Sequence, residues 1–366
     1  MDKPLGARKM GAMPQAFSPT APPTPPHAVD AAVRDAEWLA HRYDPEHDAV
    51  HLLPVSRAQH RQATFLTDEN LPGVEPMIAS RAQTRAARPA PIHFVFHSAF
   101  CCSTLIARAF DLPGRSMALK EPVILNDIIG WRRRGGAGAD MAEVLDDTLH
   151  LLARPFGPGE SIIVKPSNAI NALIAPILTL RPEAHALMLH APLRAYLASI
   201  ARKGLEGRLW VRTLLLGLLD DKLVDLGFSP RDHLGQTDLQ VAAVGWLAQH
   251  ALFGKVADRF GAARIRSLDS AALMADPASA MAALGQHFNL PLSTEELAGI
   301  VSGPAFTRHS KSGAAFGAAE RAEEEQAGVA LHADEIEKVI VWTQAVAQAA
   351  GVSLDAPNPL IEYPAA

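Results

Sequence analysis

Between residues 92 and 268 the chain keeps repeating one alternation. A short, largely apolar run is followed by a longer stretch whose apolar positions fall three and four apart. The runs are "IHFVF" (92–96), "SMALK" (116–120), "SIIVK" (161–165), "AHALML" (184–189) and "RIRSL" (264–268). Their length and composition predict strands near 92–96, 117–120, 162–165, 185–189 and 264–267. The stretches "STLIARAFD", "ADMAEVLDDTLHLLARPF", "AINALIAPILTL" and "LRAYLASIARKG" carry helical spacing. Strands alternating with helices predict an α/β fold of three layers, a parallel sheet with helices on both faces. Ligands of such sheets sit at the carboxyl ends of the strands. Two longer helical stretches, 208–226 and 238–260, precede the fifth strand and predict an added helical layer or lid.

The first ninety residues follow no such rhythm. "MPQAFSPTAPPTPPHAV" is proline-rich, which excludes helix and inner strand, so residues 1–28 read as a disordered or extended tail. "DAAVRDAEWLAHRY" predicts a helix with Asp30 at its N-cap. "AVHLLPVS" and "ATFLTDE" predict short strands, a small hairpin, and "SRAQTRAARPAP" a basic linker. The domain reading is therefore a tail (1–28), an extension (29–90) and a main α/β domain (91–366).

Composition narrows the classes. The 366 residues are 48% hydrophobic and 20% charged, with a formal net charge of -5. That is a globular balance, and it lacks the basic footprint of a nucleic-acid binder. No apolar run is long enough to span a bilayer; "LWVRTLLLGLLDD" is broken by Arg212. The N-terminus shows no continuous apolar signal segment, and the two adjacent cysteines, Cys101 and Cys102, make no disulfide framework, so a cytoplasmic enzyme is expected.

Candidate chemistry gathers where the strands end. "FVFHSAFCCSTLIARAF" reads as strand, loop of small side chains, then helix. Amides at such a helix start, with the Ser103 and Thr104 hydroxyls, form an anion cradle. The loop lacks the Gly-Lys-Ser/Thr ending of an ATPase, and an ordinary strand–loop–helix turn is the alternative. "LKEPVILND" puts Lys120 and Glu121 at the next strand end, where the carboxylate is either a general base or half of a solvated ion pair. "IIVKPSNAIN" ends another strand in Lys165, which suggests cations converging on an anion. His97 is a second candidate base. In "MLHAPLRAYLASIARKG", His190 ends a strand, Pro192 opens a helix, and Arg194, Ser199 and Arg202 follow.

The order of strand, loop and helix from 94, Lys165, and then a strand–Pro–helix–Ser segment resembles the sulfotransferase family. Those enzymes have a P-loop-like fold and use 3′-phosphoadenosine-5′-phosphosulfate. "IRSLDSAALMADPASAMAALGQHFNLPLS" is similar to the family's strand, "YEDL", "DP" and following helix, keeping Leu268-Asp269 and Asp276-Pro277. "FTRHSKSGAAF" resembles its late basic loop. The resemblance covers roughly residues 91 to 320. It implies that Ser98, Cys102, Ser103 and Thr104 hold the phosphosulfate. Arg194, Ser199, Arg308 and Lys311 then hold the 3′-phosphate. Lys165 would neutralise charge on the leaving phosphate, Glu121 or His97 would take the acceptor's proton, and no metal is needed. The implied acceptor is a small-molecule or carbohydrate-like hydroxyl or amine.

The chain departs from the family pattern at several positions. "SAFCCSTL" keeps only the Ser-Thr-Leu ending of "PRSGSTL"; His190 replaces an arginine, Ala198 precedes Ser199 where a serine is usual, and Ser167 replaces a histidine. Two other classes therefore stay open: a catalytically silent nucleotide-binding module, and a kinase or other nucleoside-triphosphate enzyme. The acceptor and the oligomeric state are not legible in the sequence.

Overall fold

The computed structural model describes residues 26–362, apart from 86, 137 and 309–316. Most of the proline-rich tail and Lys311 thus lie outside the described residues. Three strands, β1 (Trp38–Asp44), β2 (Ala49–Pro54) and β3 (Met77–Ser80), form an antiparallel sheet. Five more, β4 (Ile92–His97), β5 (Ser116–Lys120), β6 (Ser161–Lys165), β7 (Ala186–His190) and β8 (Ile265–Asp269), form a wholly parallel sheet in the order β5–β6–β4–β7–β8. Each falls within a residue or two of its expected place, and the α/β architecture is as the alternation required.

The pleat of the parallel strands divides the core in two. Phe94, Phe96, Met117, Leu119, Ile162 and Val164 face one layer, with the Ile124–Arg133 and Gly138–Leu152 helices; Val95, Ala118, Ile163 and Leu187 face the other, with the Ser103–Ala109 and Leu193–Arg202 helices. The Asp238–Phe260 helix spans both, giving Leu239 and Leu247 to one and Phe253 and Val256 to the other.

The N-terminal region differs from its expectation. The helix is Pro26–Arg34, so it begins inside the expected tail and stops before Trp38. "WLAHRYD" is instead β1, paired antiparallel with β2. Its Leu39, Ala40 and Tyr43 side chains are buried in the shared core, and tertiary packing overrides the local spacing. "ATFLTDE" forms no strand, and the third strand is Met77–Ser80. The basic linker likewise holds a short helix, Arg81–Thr84. One apolar cluster runs from Val29 and Leu52 through Phe94 to Ile162, across residue 90.

Two polar anchors fix this region to the sheet. Asp127 accepts from Arg42 Nε (2.8 Å) and Nη2 (2.7 Å) and from the Tyr43 amide (3.0 Å). Arg154, buried, donates to the carbonyls of Leu151 (2.7 Å), Ala32 (2.9 Å) and Asp35 (2.7 Å). Burial pushes its guanidinium down to about 10. Hydrogen bonds from a charged donor contribute about 1.5–3 kcal/mol each, so Arg154→Ala should cost at least about 3 kcal/mol in urea denaturation. A loss below 1 kcal/mol would refute this anchoring role.

Candidate functional site

In the order β5–β6–β4–β7–β8, the chain leaves β4 towards one edge and later crosses to β7 on the other side. The carboxyl ends of β4 and β7 therefore flank the switch point, where an α/β sheet opens a crevice. The Ser98–Cys102 loop lies there. Ala99 (φ 75°), Phe100 (φ 52°) and Cys102 (φ 64°) all adopt left-handed backbone without being glycine. Such residues cost about 1 kcal/mol or more each and persist only where the surroundings hold them. Here the Ser98 amide donates to Leu189 O (3.1 Å) and the Ala99 amide to His97 Nδ1 (3.0 Å). Alternating turns of this kind make concave nests of backbone N–H groups that accept anions. Ser98 Oγ is fully buried and has no hydrogen-bond partner among the described residues. Ser103 and Thr104, also buried, start the following helix, with Cys102 at its N-cap.

His97 is committed to this loop. Because Nδ1 accepts from Ala99, the ring hydrogen sits on Nε2, which donates to Pro166 O at 3.0 Å. Both nitrogens are used, so His97 ties β4 to β6 and is not a free base.

Lys165 and Glu121 meet, although they are far apart in sequence. The Glu121 amide donates to Lys165 O (2.6 Å), and its left-handed φ of 53° turns the carboxylate onto the Lys165 ammonium. The Lys165 side chain is 1% exposed and that of Glu121 21%. Phe65 caps the ammonium, 5.2 Å from ring centroid to Nζ. Its neighbour Leu66 is pinned to the same strand end: the Leu66 amide donates to Lys120 O (2.7 Å). The strand-end pair between Lys120 and Glu121 does not form. Lys120 donates instead to Arg61 O (3.0 Å), and burial, with repulsion from Arg108, pushes it down to about 8.

The other expected residues lie on helices or at a helix end. Arg194 pairs with Glu337 of the Ala318–Ala350 helix, and Ser199 Oγ donates to Ala195 O of its own helix (2.8 Å). Arg308 is exposed at the end of the short Pro304–Thr307 helix, which packs against the Ser103–Ala109 helix behind the loop.

Sequence reading missed a buried polar network under the crevice. Gln249 Nε2 donates to Gly245 O (3.0 Å), leaving Oε1 to accept from Asn168 (3.2 Å) and Asn171 (3.0 Å). Asn171 Nδ2 also reaches His97 O (3.1 Å), while its Oδ1 is buried without a partner. The signal was present: two asparagines, Asn168 and Asn171, stand three and six residues after Lys165, and Gln249-His250 interrupts an apolar helix.

Among the described residues no group of three or more His, Cys, Asp or Glu side chains is placed to hold a metal ion, and no helix is long and apolar enough to cross a membrane. The assembled site offers a concave loop of amides and hydroxyls beside a buried, paired ammonium. No family model and no curated protein matches the chain. Solved structures do, among them three sulfotransferases or sulfotransferase domains. The sulfotransferase domain of the Synechococcus PCC 7002 olefin synthase is 15% identical, covering 60% of this chain and 79% of that one at a TM-score of 0.39. The sulfotransferase STF9 from Mycobacterium avium is 13% identical over 68% and 77%, at 0.40. The sulfotransferase domain of the curacin biosynthetic pathway is 14% identical over 73% and 99%, also at 0.40. All three are described as sulfotransferases or sulfotransferase domains.

Proposed function

We propose that the chain transfers a sulfuryl group from 3′-phosphoadenosine-5′-phosphosulfate to a hydroxyl or amine of a small-molecule or carbohydrate-like acceptor. The observation that carries this reading is the left-handed Ser98–Cys102 loop at the switch point, with the buried Ser98 Oγ unpartnered inside it. An orphaned buried hydroxyl costs about 1–3 kcal/mol, which a bound anion would offset. When bound, the donor supplies the activated sulfuryl group. The loop amides with Ser98, Cys102, Ser103 and Thr104 bind its charged end, and Lys165 faces the charge that builds on the leaving phosphate. Arg308, Lys311, Arg194 and Ser199 are assigned to the 3′-phosphate by resemblance, and Arg194 would exchange Glu337 for it. Glu121 holds Lys165 in place, in addition to the proton-accepting role that its position at a strand end suggests. The absence of lysine and arginine from residues 97–104 favours a second reading, a silent nucleotide-binding module.

Calorimetric titration with 3′,5′-adenosine bisphosphate and with ATP, each with and without Mg²⁺, tests the reading. The bisphosphate should bind without Mg²⁺. Ser98→Ala should weaken it roughly tenfold or more, the loss of one hydrogen bond to a charged group, without lowering fold stability. Arg308→Ala should weaken the bisphosphate more than 5′-AMP. Tight, Mg²⁺-dependent ATP binding with no affinity for the bisphosphate would overturn the reading; bisphosphate binding with no consumption of the donor would favour the silent module.

A further inference from the structure

Residues 57–72 lie outside the stretch that resembles the sulfotransferases, yet they cover the carboxyl ends of β5 and β6. Hydrogen bonds to backbone groups fasten them there. Lys120 Nζ donates to Arg61 O (3.0 Å), the Leu66 amide to Lys120 O (2.7 Å) and the Val123 amide to Leu66 O (3.2 Å). The segment therefore brackets Glu121. Phe65 sits on the Lys165 ammonium, 5.2 Å from ring centroid to Nζ. Further along, Asp68 accepts from Arg42 Nη1 (2.7 Å) and meets His41 Nε2 (2.6 Å), which ties the loop to β1.

This segment encloses a cavity of about 300 Å³, lined by Gln59, Gln62, Ala63, Thr64, Asn70 and Pro72. That volume is at the lower end of small-molecule sites, about 300–1,000 Å³. Every lining residue is uncharged, and most are polar. Gln59 Oε1 accepts from the Ser56 amide in the cap of the Arg57–Gln62 helix (2.8 Å), which leaves Nε2 as a donor. Asn70 Nδ2 donates to Thr67 Oγ1 (2.9 Å), which leaves Oδ1 as an acceptor. Gln62 and Thr64 add an amide and a hydroxyl, each able both to donate and to accept. Arg61 and Asp68 stand among these residues in sequence but pair elsewhere, Arg61 Nε with Asp111 (2.9 Å) and Asp68 with Arg42.

We infer that this cavity binds the sulfuryl acceptor, and that the class of acceptor it takes is a neutral polyol such as a sugar. The inference rests on the sulfuryl-transfer reading. Hydroxyls donate and accept at once, which matches a wall offering both, while Ala63 and Pro72 give apolar surface to the C–H face of a ring. An acidic or cationic acceptor would lose its hydration there with no opposite charge to replace it. A flat phenol would leave the amides unpaired. The wall is fixed beforehand by the helix cap, by β5 and by Arg42, which limits the ordering cost of binding. Strand order places the cavity usefully. β6 lies between β5 and β4, so Lys165 stands between the segment that walls the cavity and the Ser98–Cys102 loop assigned to the donor.

The test has two readouts. The full chain, loaded with 3′,5′-adenosine bisphosphate, is titrated with methyl glucoside, glucuronate and 2-naphthol by saturation-transfer NMR, which needs no turnover. Donor consumption is then followed with each as acceptor. Methyl glucoside should be preferred in both. Gln62→Leu and Asn70→Leu, at exposed positions, should each weaken methyl glucoside about 3- to 10-fold, the loss of one neutral hydrogen bond, with bisphosphate affinity within about twofold of wild type. Gln62→Lys should turn the preference towards glucuronate. A wild-type preference for glucuronate or 2-naphthol overturns the polyol assignment, and unchanged methyl glucoside binding in both leucine variants overturns the cavity; either result leaves the donor reading intact. Methyl glucoside binding with no donor consumption would make the cavity a sugar site of a silent module and overturn its role as acceptor site. Failure of the wild-type chain to bind the bisphosphate overturns the donor reading, and this inference with it, even where methyl glucoside still binds.

Discussion

Glu121→Ala is expected to destabilise the fold by about 3–5 kcal/mol, more than Lys165→Met will. The two residues form one ion pair, but their burial is unequal, 1% exposed for Lys165 against 21% for Glu121. Removing the carboxylate strands a buried ammonium beside the Phe65 ring. Removing the ammonium leaves a carboxylate that water already reaches. Replacing both by apolar residues should restore most of the loss, because neither charge is then left unpaired. Urea denaturation of the two single variants and the double variant measures this as a cycle. A Glu121→Ala variant within 1 kcal/mol of wild type would show that the pair is solvated and loose. Lys165→Met should meanwhile abolish donor binding despite its milder effect on folding, which separates the site's stability from its chemistry.

Acidification should weaken the fold well before ordinary carboxylates titrate. Burial pushes His60 and His93 down to about 3 and His287 down to about 4, and it lowers His190 and His250 as well. Among the described residues His60 has no hydrogen-bond partner for either nitrogen, and it packs edge-on against Phe156 (5.0 Å). His93 accepts the His185 amide (3.1 Å), and His287 donates to Ala186 O (3.1 Å). Each has a folded pKa below its unfolded value of about 6.5, so unfolding takes up protons. The associated stability is fully present above pH 6.5 and is lost as pH falls towards 3–4. One such group contributes about 1.4 kcal/mol per pH unit, and His60, His93 and His287 together remove on the order of 6 kcal/mol by pH 5. That rivals the whole stability of a typical domain, about 5–15 kcal/mol. Urea midpoints at pH 7.5, 6 and 5 should fall steeply, and His60→Phe should reduce the slope by about one proton. Midpoints that hold constant across this range would contradict the neutral burial of these imidazoles.

The parallel sheet was legible because each of its strands is a short apolar run closed by a polar residue, a signal that tertiary context only reinforces. The loop at 98–102 was legible as a connection between strand and helix, but its left-handed residues were not, since nothing about Ala99 or Phe100 announces a positive φ. That conformation is imposed by Leu189 and His97, from two strands. The partner of Glu121 was not legible for a similar reason. Sequence offers Lys120 as its neighbour, whereas the parallel register sets Lys165 beside Lys120 and the left-handed turn at 121 brings the carboxylate across. The β1 strand was hidden by three- and four-residue spacing that imitates a helix, and its pairing with β2 could not be seen locally.

The strand order has a consequence for how the chain is made. β4 and β5 follow one another in sequence but never touch, because β6 occupies the place between them. β4 carries Phe94, Val95 and Phe96, all fully buried in the finished protein, yet both its neighbours, β6 and β7, lie downstream. On a ribosome adding roughly 5–20 residues per second, seconds pass between the appearance of His97 and that of Lys165. Through that interval the sheet's middle strand has two open edges and two uncovered apolar faces, the condition that invites pairing with a foreign chain. Of the five parallel strands, the one at the centre of the finished sheet spends longest without a partner in the nascent chain.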